Sequence, residues 1–255
     1  MWVDIHTHVL PGIDDGSQNW DETMELAELA LSGGTDILVC TNHTNIPGIY
    51  ENYESENLRT LFEMFQRKLE KEKMPLRILR GNEIFSTPGI QRLLNEKKVI
   101  PINNTGYYLV EFSFREDPDF MADVLFGMIK DGYHPILAHP ERYECVQDYP
   151  AFVFQWMSEG VLTQMNKQSL LGQFGREVEV AAQCLFEHNL ITCIASDAHS
   201  QERRTTNLSS IAEYLEDRFG EEAAQLLLNE NPRRIIEGKR VVGQNLIPFA
   251  DKGWY

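Results

Sequence analysis

Residues 3–17 read VDIHTHVLPGIDDGS. Asp4, His6, His8, Asp14 and Asp15 all fall in that stretch, with bulky aliphatic residues between them. Residues 2–8 predict a short buried strand that runs into a Pro11-Gly12 turn. Buried strands rarely carry two histidines unless those side chains have partners. In an H-x-H pair on a strand, side chains i and i+2 point to the same side. Two imidazoles so placed can grip one cation. H-x-H alone fits equally well with two polar residues making ordinary hydrogen bonds at a strand end, so the rest of the chain must decide.

Working outward, further apolar runs predict strands at residues 36–41, 77–80, 108–112, 134–138, 161–165 and 190–195. Helix-period segments lie between them, at 21–31, 58–72, 118–131, 151–159 and 177–187, with 208–218 and 221–229 after the last strand. Gly33-Gly34 can end the first helix. Asn231-Pro232 reads as a cap and first residue of another short helix. Seven strands alternating with helices imply a parallel sheet. A closed or nearly closed barrel is expected over a doubly wound sheet, because no G-x-G-x-x-G follows the first strand. No repeat, linker or low-complexity segment divides residues 1–255, which predicts a single domain with a loop-like tail from about 241 to 255.

The unusual polar residues fall where the strands end. His6 and His8 close the first strand, and His43 follows the second in VCTNH. Glu83 follows the third in RGNEI, and Glu111 sits near the end of the fourth in LVEFS. His139 and Arg142 follow the fifth in ILAHPERY; Asp197 and His199 follow the seventh in IASDAHS. The sixth ends at QMN with no obvious ligand, and Asn166 is its candidate. In a βα barrel the C-terminal strand ends share one face, where active sites are built. Five of the seven histidines belong to this set; His134 and His188 read as surface or packing residues. Each member alone could be a satisfied core polar group. Together at one rim they point to a catalytic metal centre.

The chain has 255 residues, 42% hydrophobic, and a formal net charge of −16. That balance argues against nucleic-acid binding through a general basic surface. Cys40, Cys145, Cys184 and Cys193 form no C-x-x-C pair, and reduced, buried thiols are expected. No apolar run approaches the ~18 residues of a membrane span. No charged segment followed by an apolar one opens the chain as a secretory signal would. These features together predict a reduced, cytoplasmic setting.

With those motifs in hand, the chain resembles the polymerase-and-histidinol-phosphatase (PHP) superfamily. DIHTHVLPGIDDGS, TNH, GNEI, VEFS, AHPERY and ASDAH occur in that family's order, from residue 3 to about 238. More narrowly it resembles the bacterial manganese-dependent protein-tyrosine phosphatases of capsule and exopolysaccharide clusters, on the LPGIDDGS turn, the glutamate of VEFS and the arginine of HPERY. The resemblance implies a distorted (β/α)7, TIM-like barrel holding two to three divalent metals, manganese foremost, with iron or zinc as alternatives. It implies that His6, His8, Glu83 and Asp197 hold the first metal. Glu83 bridges to the second, completed by Glu111 and His139, while Asp15, His43 and His199 hold the third. Arg142 and Arg204 match the phosphate-handling arginines. One departure stands out: the loop after His43 reads Thr44-Asn45-Ile46-Pro47-Gly48, where this branch often has basic or histidine residues.

The implied activity is metal-assisted hydrolysis of a phosphomonoester, the substrate being a phosphotyrosine protein such as the tail of a bacterial tyrosine kinase, with phosphate as product. No C-x5-R pattern is present, so no cysteine nucleophile is expected. Local positive charge from cations and arginines would draw a phosphate despite the acidic chain, because salt screens charges beyond about 8–10 Å. The alternatives are a histidinol-phosphate or other small-molecule phosphatase, a metal-dependent amidohydrolase, and a catalytically silent PHP module. The complete ligand set argues against the last.

Overall fold

The computed structural model describes residues 1–250; positions 251–255 of the expected tail lie outside the described residues. Nine short strands appear: β1 (Trp2–Thr7), β2 (Thr35–Cys40), β3 (His43–Thr44), β4 (Arg77–Arg80), β5 (Glu83–Phe85), β6 (Tyr107–Glu111), β7 (His134–Ala138), β8 (Leu162–Asn166) and β9 (Cys193–Ala195). They pair in parallel as two sheets, β1-β2-β4 and β3-β5-β6-β7-β8-β9. The two sheets share strands. β2 continues into β3 across Thr41-Asn42, and β4 continues into β5 across Gly81-Asn82. On the other side, Asp197 N donates to His6 O at 2.8 Å and His8 N donates to Ala198 O at 2.9 Å. Seven strand positions therefore follow one another around a distorted barrel.

The two divided strands depart from the seven unbroken ones expected, and asparagine side chains explain the breaks. The Asn42 amide donates to Asp14 Oδ1 at 2.9 Å and accepts from Leu10 N at 3.3 Å. Asn82 Oδ1 accepts from Ile100 N at 2.9 Å. Side-chain amides thus take backbone and loop partners that a regular ladder would not supply. The last strand is also shorter than expected, beginning at Cys193.

Helices wrap the barrel, and several start where polar caps dictate. Asn19 Oδ1 accepts from Asp21 N and Glu22 N, both at 3.0 Å, to open the helix Trp20–Ser32. Asp117 caps Pro118–Lys130, with proline in the first turn, where its missing N–H costs nothing. The expected short helix is present, Asn231–Ile236 with Pro232 in its first turn, but Asn231 is not its cap. Asn231 lies inside a helical run, and its amide donates to Thr192 O at 2.9 Å. A single wider, π-type turn, Leu226–Glu230, precedes Pro232 and absorbs the proline's missing donor.

One apolar cluster joins Val3, Ile5, Ile37, Val39, Leu109 and Ile136 of the strands to Ile235 and Ile236 of the last helix. A second joins Val110, Leu137, Met165 and Ile194 to helix residues such as Met121, Leu125, Leu185 and Leu215. Leu109 and Glu111 are two apart on β6, so one face of that strand passes from core packing to the rim.

The first rim loop folds tightly back on β1. Ser17 N donates to His8 O at 3.0 Å, and Gly12 N donates to Ser17 O at 2.8 Å. A Cβ on Gly16 would stand 2.1 Å from His8 O and 2.4 Å from His8 Cβ. Gly16→Ala is therefore expected to destabilise the fold by on the order of 2–3 kcal/mol and to displace the His8 ring. Denaturant unfolding, with metal content measured on the same sample, checks both effects.

Candidate metal centre

The C-terminal strand ends bring nine metal-ligand candidates together. His6 is the penultimate residue of β1, His43 opens β3, Glu83 opens β5 and Glu111 ends β6. His139 and Asp197 follow β7 and β9, and both adopt left-handed backbone, at φ 33° and 48°. Such conformations cost non-glycine residues about 1–3 kcal/mol each and cluster at functional sites. His43 and Glu83 are direct register partners in β3 and β5.

Three donor groups emerge, each with its ligand atoms within 4.8 Å of one another: His6, His8, Glu83 and Asp197; His43, Glu83 and Glu111; His8, Asp15, His43 and His199. In the first, His6 Nε2 lies 3.2 Å from both His8 Nε2 and Glu83 Oε1, and 3.3 Å from Asp197 Oδ1. His8 Nε2 lies 3.2 Å from Glu83 Oε2 and 3.4 Å from Asp197 Oδ1. Donors about 2.1 Å from one tetrahedral ion stand about 3.4 Å apart, so this set fits a cation between its members.

Around the second group, His43 Nδ1 lies 2.9 Å from Glu83 Oε2, yet neither atom makes a hydrogen bond. A buried ring nitrogen and a buried carboxylate oxygen facing each other at that distance are also placed to share a cation. His139 Nε2 stands 3.1 Å from Glu83 Oε1 and 3.5 Å from Glu111 Oε1. Asp15 Oδ1 is 3.5 Å from His43 Nε2 and 3.4 Å from His199 Nε2. Asp15, which the strand pattern did not distinguish from Asp14, is the member of that pair that joins a donor group.

Charge tells the same story. Burial alone would raise the Glu83 carboxyl, but His6 and His43 hold it well below its ordinary value. Asp197 is held low in the same way by His6 and Arg204. Burial, then the neighbouring Glu83 charge, pushes Glu111 up to about 8. Burial pushes His139 down to about 4 and keeps its imidazole neutral, the form that ligates. Carboxylates packed this closely need cationic partners.

Outer hydrogen bonds fix the ligand rings. His8 Nδ1 meets Asp14 Oδ2 at 2.8 Å, and Asp14 also accepts from His43 N at 2.9 Å and Gly16 N at 3.0 Å. His6 Nδ1 meets Gln164 Oε1 at 2.6 Å. Gln164 Nε2 donates to Asn166 Oδ1 at 2.9 Å, and Asn166 Nδ2 donates to Asp197 Oδ2 at 2.6 Å. Such second partners set tautomer and ring angle. Asn166 thus serves by holding Asp197, and Gln164 was missed. A polar Q-x-N pair flanking Met165 at the end of a buried strand was the available signal.

Arg142 Nη1 donates to Asp197 Oδ2 at 3.4 Å, and Arg204 Nη2 pairs with the same oxygen. Arg204 Nε also donates to Asp197 O at 3.0 Å. The two side chains remain 20% and 24% exposed, so a ligand can reach them. The Thr44–Gly48 loop is tied down by Asn45, whose amide donates to Phe85 O at 2.8 Å. Next to it Tyr50 lies parallel to the His43 ring, centroids 6.0 Å apart. His134 and His188 lie away from the donor groups. The four cysteines are free; burial pushes the Cys145 thiol up to about 11 and those of Cys40 and Cys193 higher. Among the described residues, no helix is long and apolar enough to cross a membrane.

Comparison with known proteins gives a consistent picture. Residues 2–237 match the family model described as capsular polysaccharide synthesis, CpsB/CapC. The tyrosine-protein phosphatase YwqE of Bacillus subtilis is 31% identical over 95% of this chain and 94% of its own length. The putative tyrosine-protein phosphatase CapC of Staphylococcus aureus is 31% identical over 99% of this chain and 98% of its own. A solved structure, from a description of Bacillus subtilis YwqE and Streptococcus pneumoniae CpsB as unique metal-dependent tyrosine phosphatases, matches with a TM-score of 0.89. It has 31% identity and covers 97% of this chain and 99% of that one.

Proposed function

The chain belongs to the CpsB/CapC family of capsular polysaccharide synthesis, and from that premise we propose that it is a metal-dependent protein-tyrosine phosphatase that acts on a bacterial tyrosine kinase tail in capsule or exopolysaccharide regulation. The observation that carries this reading is the meeting of Arg142 and Arg204 on Asp197, at the edge of a buried donor cluster. His6, His8, Glu83 and Asp197 would hold one divalent ion. Glu83, Glu111 and His139 would hold a second, with His43 Nδ1 beside the same carboxylates. Asp15, His43 and His199, with His8 nearby, would hold a third. The His and carboxylate donors accept manganese, iron or zinc, and manganese is the proposed native metal. Bound divalent cations supply Lewis acidity to phosphoryl oxygens and lower the pKa of water at the site.

The polypeptide's own part is positioning. Asp197 divides its carboxylate: Oδ1 faces His6 and His8, while Oδ2 takes Asn166 and the two arginines. The guanidinium forks are thereby held next to the donor cluster, with N–H groups left for phosphoryl oxygens. Charge gathering on those oxygens as the ester bond breaks meets donors already in place. A tyrosine leaving group, pKa ~10, departs with less protonation than an alkyl alcohol.

The test is side-by-side kinetics on a phosphotyrosine peptide and histidinol phosphate, with metal content measured in the same preparation. A higher kcat/KM on the peptide is expected, and a clear preference for histidinol phosphate would overturn the substrate reading. Arg142→Ala should lower kcat/KM by on the order of 10–1000-fold, the scale for losing one charged contact to a transferring phosphoryl group.

A further inference from the structure

Two phenyl rings stand against the phosphate-handling arginines. The Arg142 guanidinium carbon lies 4.4 Å from the Phe114 ring centroid and 4.9 Å from that of Phe174. The Arg204 guanidinium carbon lies 5.9 Å from the same Phe174 ring. The order Phe114, Arg142, Phe174, Arg204 thus alternates ring and cation along the edge of the site. Phe114 also meets the His139 ring edge-on, at 5.9 Å.

Phe114 comes from the loop after β6 and keeps 38% of its surface exposed, whereas neighbouring Phe112 is buried. Phe174 comes from a separate loop, between Lys167–Leu170 and Arg176–Glu187. An exposed phenyl ring beside a charged site costs hydration, and two rings from different loops converge on the same guanidinium. Packing against Arg142 occupies one side of Phe114. Arg142 and Arg204 both lie over Phe174, which stays half-buried.

We propose that Phe114 and Phe174 are specificity-determining residues that recognise the aryl group of the substrate while the adjacent arginines take its phosphate; this inference rests on the phosphotyrosine reading above. A phosphorylated aryl ring presents an electron-rich face. The positive edge of a phenyl ring prefers that face. An alkyl phosphomonoester offers the same anion and no ring, so it gains nothing from the two phenylalanines.

Phosphonates isolate this contact, because they cannot be hydrolysed and leaving-group ability drops out. Phenylphosphonate and methylphosphonate are titrated calorimetrically into the full-length, metal-loaded protein, its Phe174→Ala and Phe174→Leu variants, and Phe114→Ala. The wild type is expected to bind phenylphosphonate about tenfold more tightly than methylphosphonate, the scale of an edge-to-face contact plus the area it buries. The Phe174 variants should bring that ratio close to one while methylphosphonate affinity stays within about twofold. Phe174→Leu keeps an apolar side chain, so a fall in the ratio there assigns the effect to the ring. A ratio unchanged in all variants would overturn the proposal. So would equal weakening of both phosphonates, which would mean that the rings only hold Arg142 in place. A wild type that binds neither phosphonate would instead remove the phosphatase reading, and the inference with it.

Discussion

Replacing His6 and His8 together with alanine is expected to abolish hydrolysis, a loss on the order of 10⁴-fold or more. These two imidazoles supply both nitrogen donors of the first group, and His8 belongs to the third as well. Their removal leaves Glu83 and Asp197 facing each other without the nitrogens that complete the set. The strands themselves do not depend on those rings: β1 pairs with β2 through its backbone, and Val3 and Ile5 anchor it in the core. The double variant should therefore keep its far-ultraviolet dichroism and lose bound metal. Full activity with no metal bound, in the variant or in wild type under strong chelation, would end the metal-dependent mechanism.

Glu83→Gln is the second large effect. Glu83 belongs to two donor groups, and four imidazoles surround its carboxylate within 3.2 Å: those of His6, His8, His43 and His139. The glutamine keeps the volume but removes the charge and points N–H groups where acceptors are needed. A loss of kcat on the order of 10³-fold is expected, with metal content reduced in both groups. Glu111 sits at the margin, 8% exposed against 1% for Glu83, and belongs to one group. Glu111→Gln should cost about 10–100-fold, closer to the loss of an outer partner. Near-wild-type rates in both variants would mean that no bridging carboxylate is at work.

These residues were legible because charge inside an aliphatic run is expensive. A histidine or glutamate that ends a Val/Ile/Leu strand is kept only if something there uses it. Six of the seven strand ends carried such a signal. What stayed hidden depended on distant partners. The breaks at Thr41-Asn42 and Gly81-Asn82 follow from asparagine bonds to Leu10, Asp14 and Ile100, which no local pattern announces. Asp14 and Asp15 are adjacent and alike in sequence. Only the tight fold of the loop beneath His8 sends Asp14 inward to orient that ring and Asp15 toward His43 and His199. Gln164 escaped because a buried amide resembles any satisfied core polar group until its partner is known. The short helix at Asn231-Pro232 was legible, but Asn231 does not cap it, since a wider helical turn runs straight into the proline.

The bonds that join His6 and His8 to Asp197 and Ala198 also set a timetable. The first ligands to leave the ribosome must wait for a partner almost two hundred residues behind them. Until that last strand arrives, the first group has His6, His8 and Glu83 and lacks its fourth donor, Asp197. Contacts between such distant segments form late and slowly. A molecule truncated before residue 197 is therefore expected to lack the carboxylate that closes the four-donor group, while His43, Glu83 and Glu111 of the second group are already made.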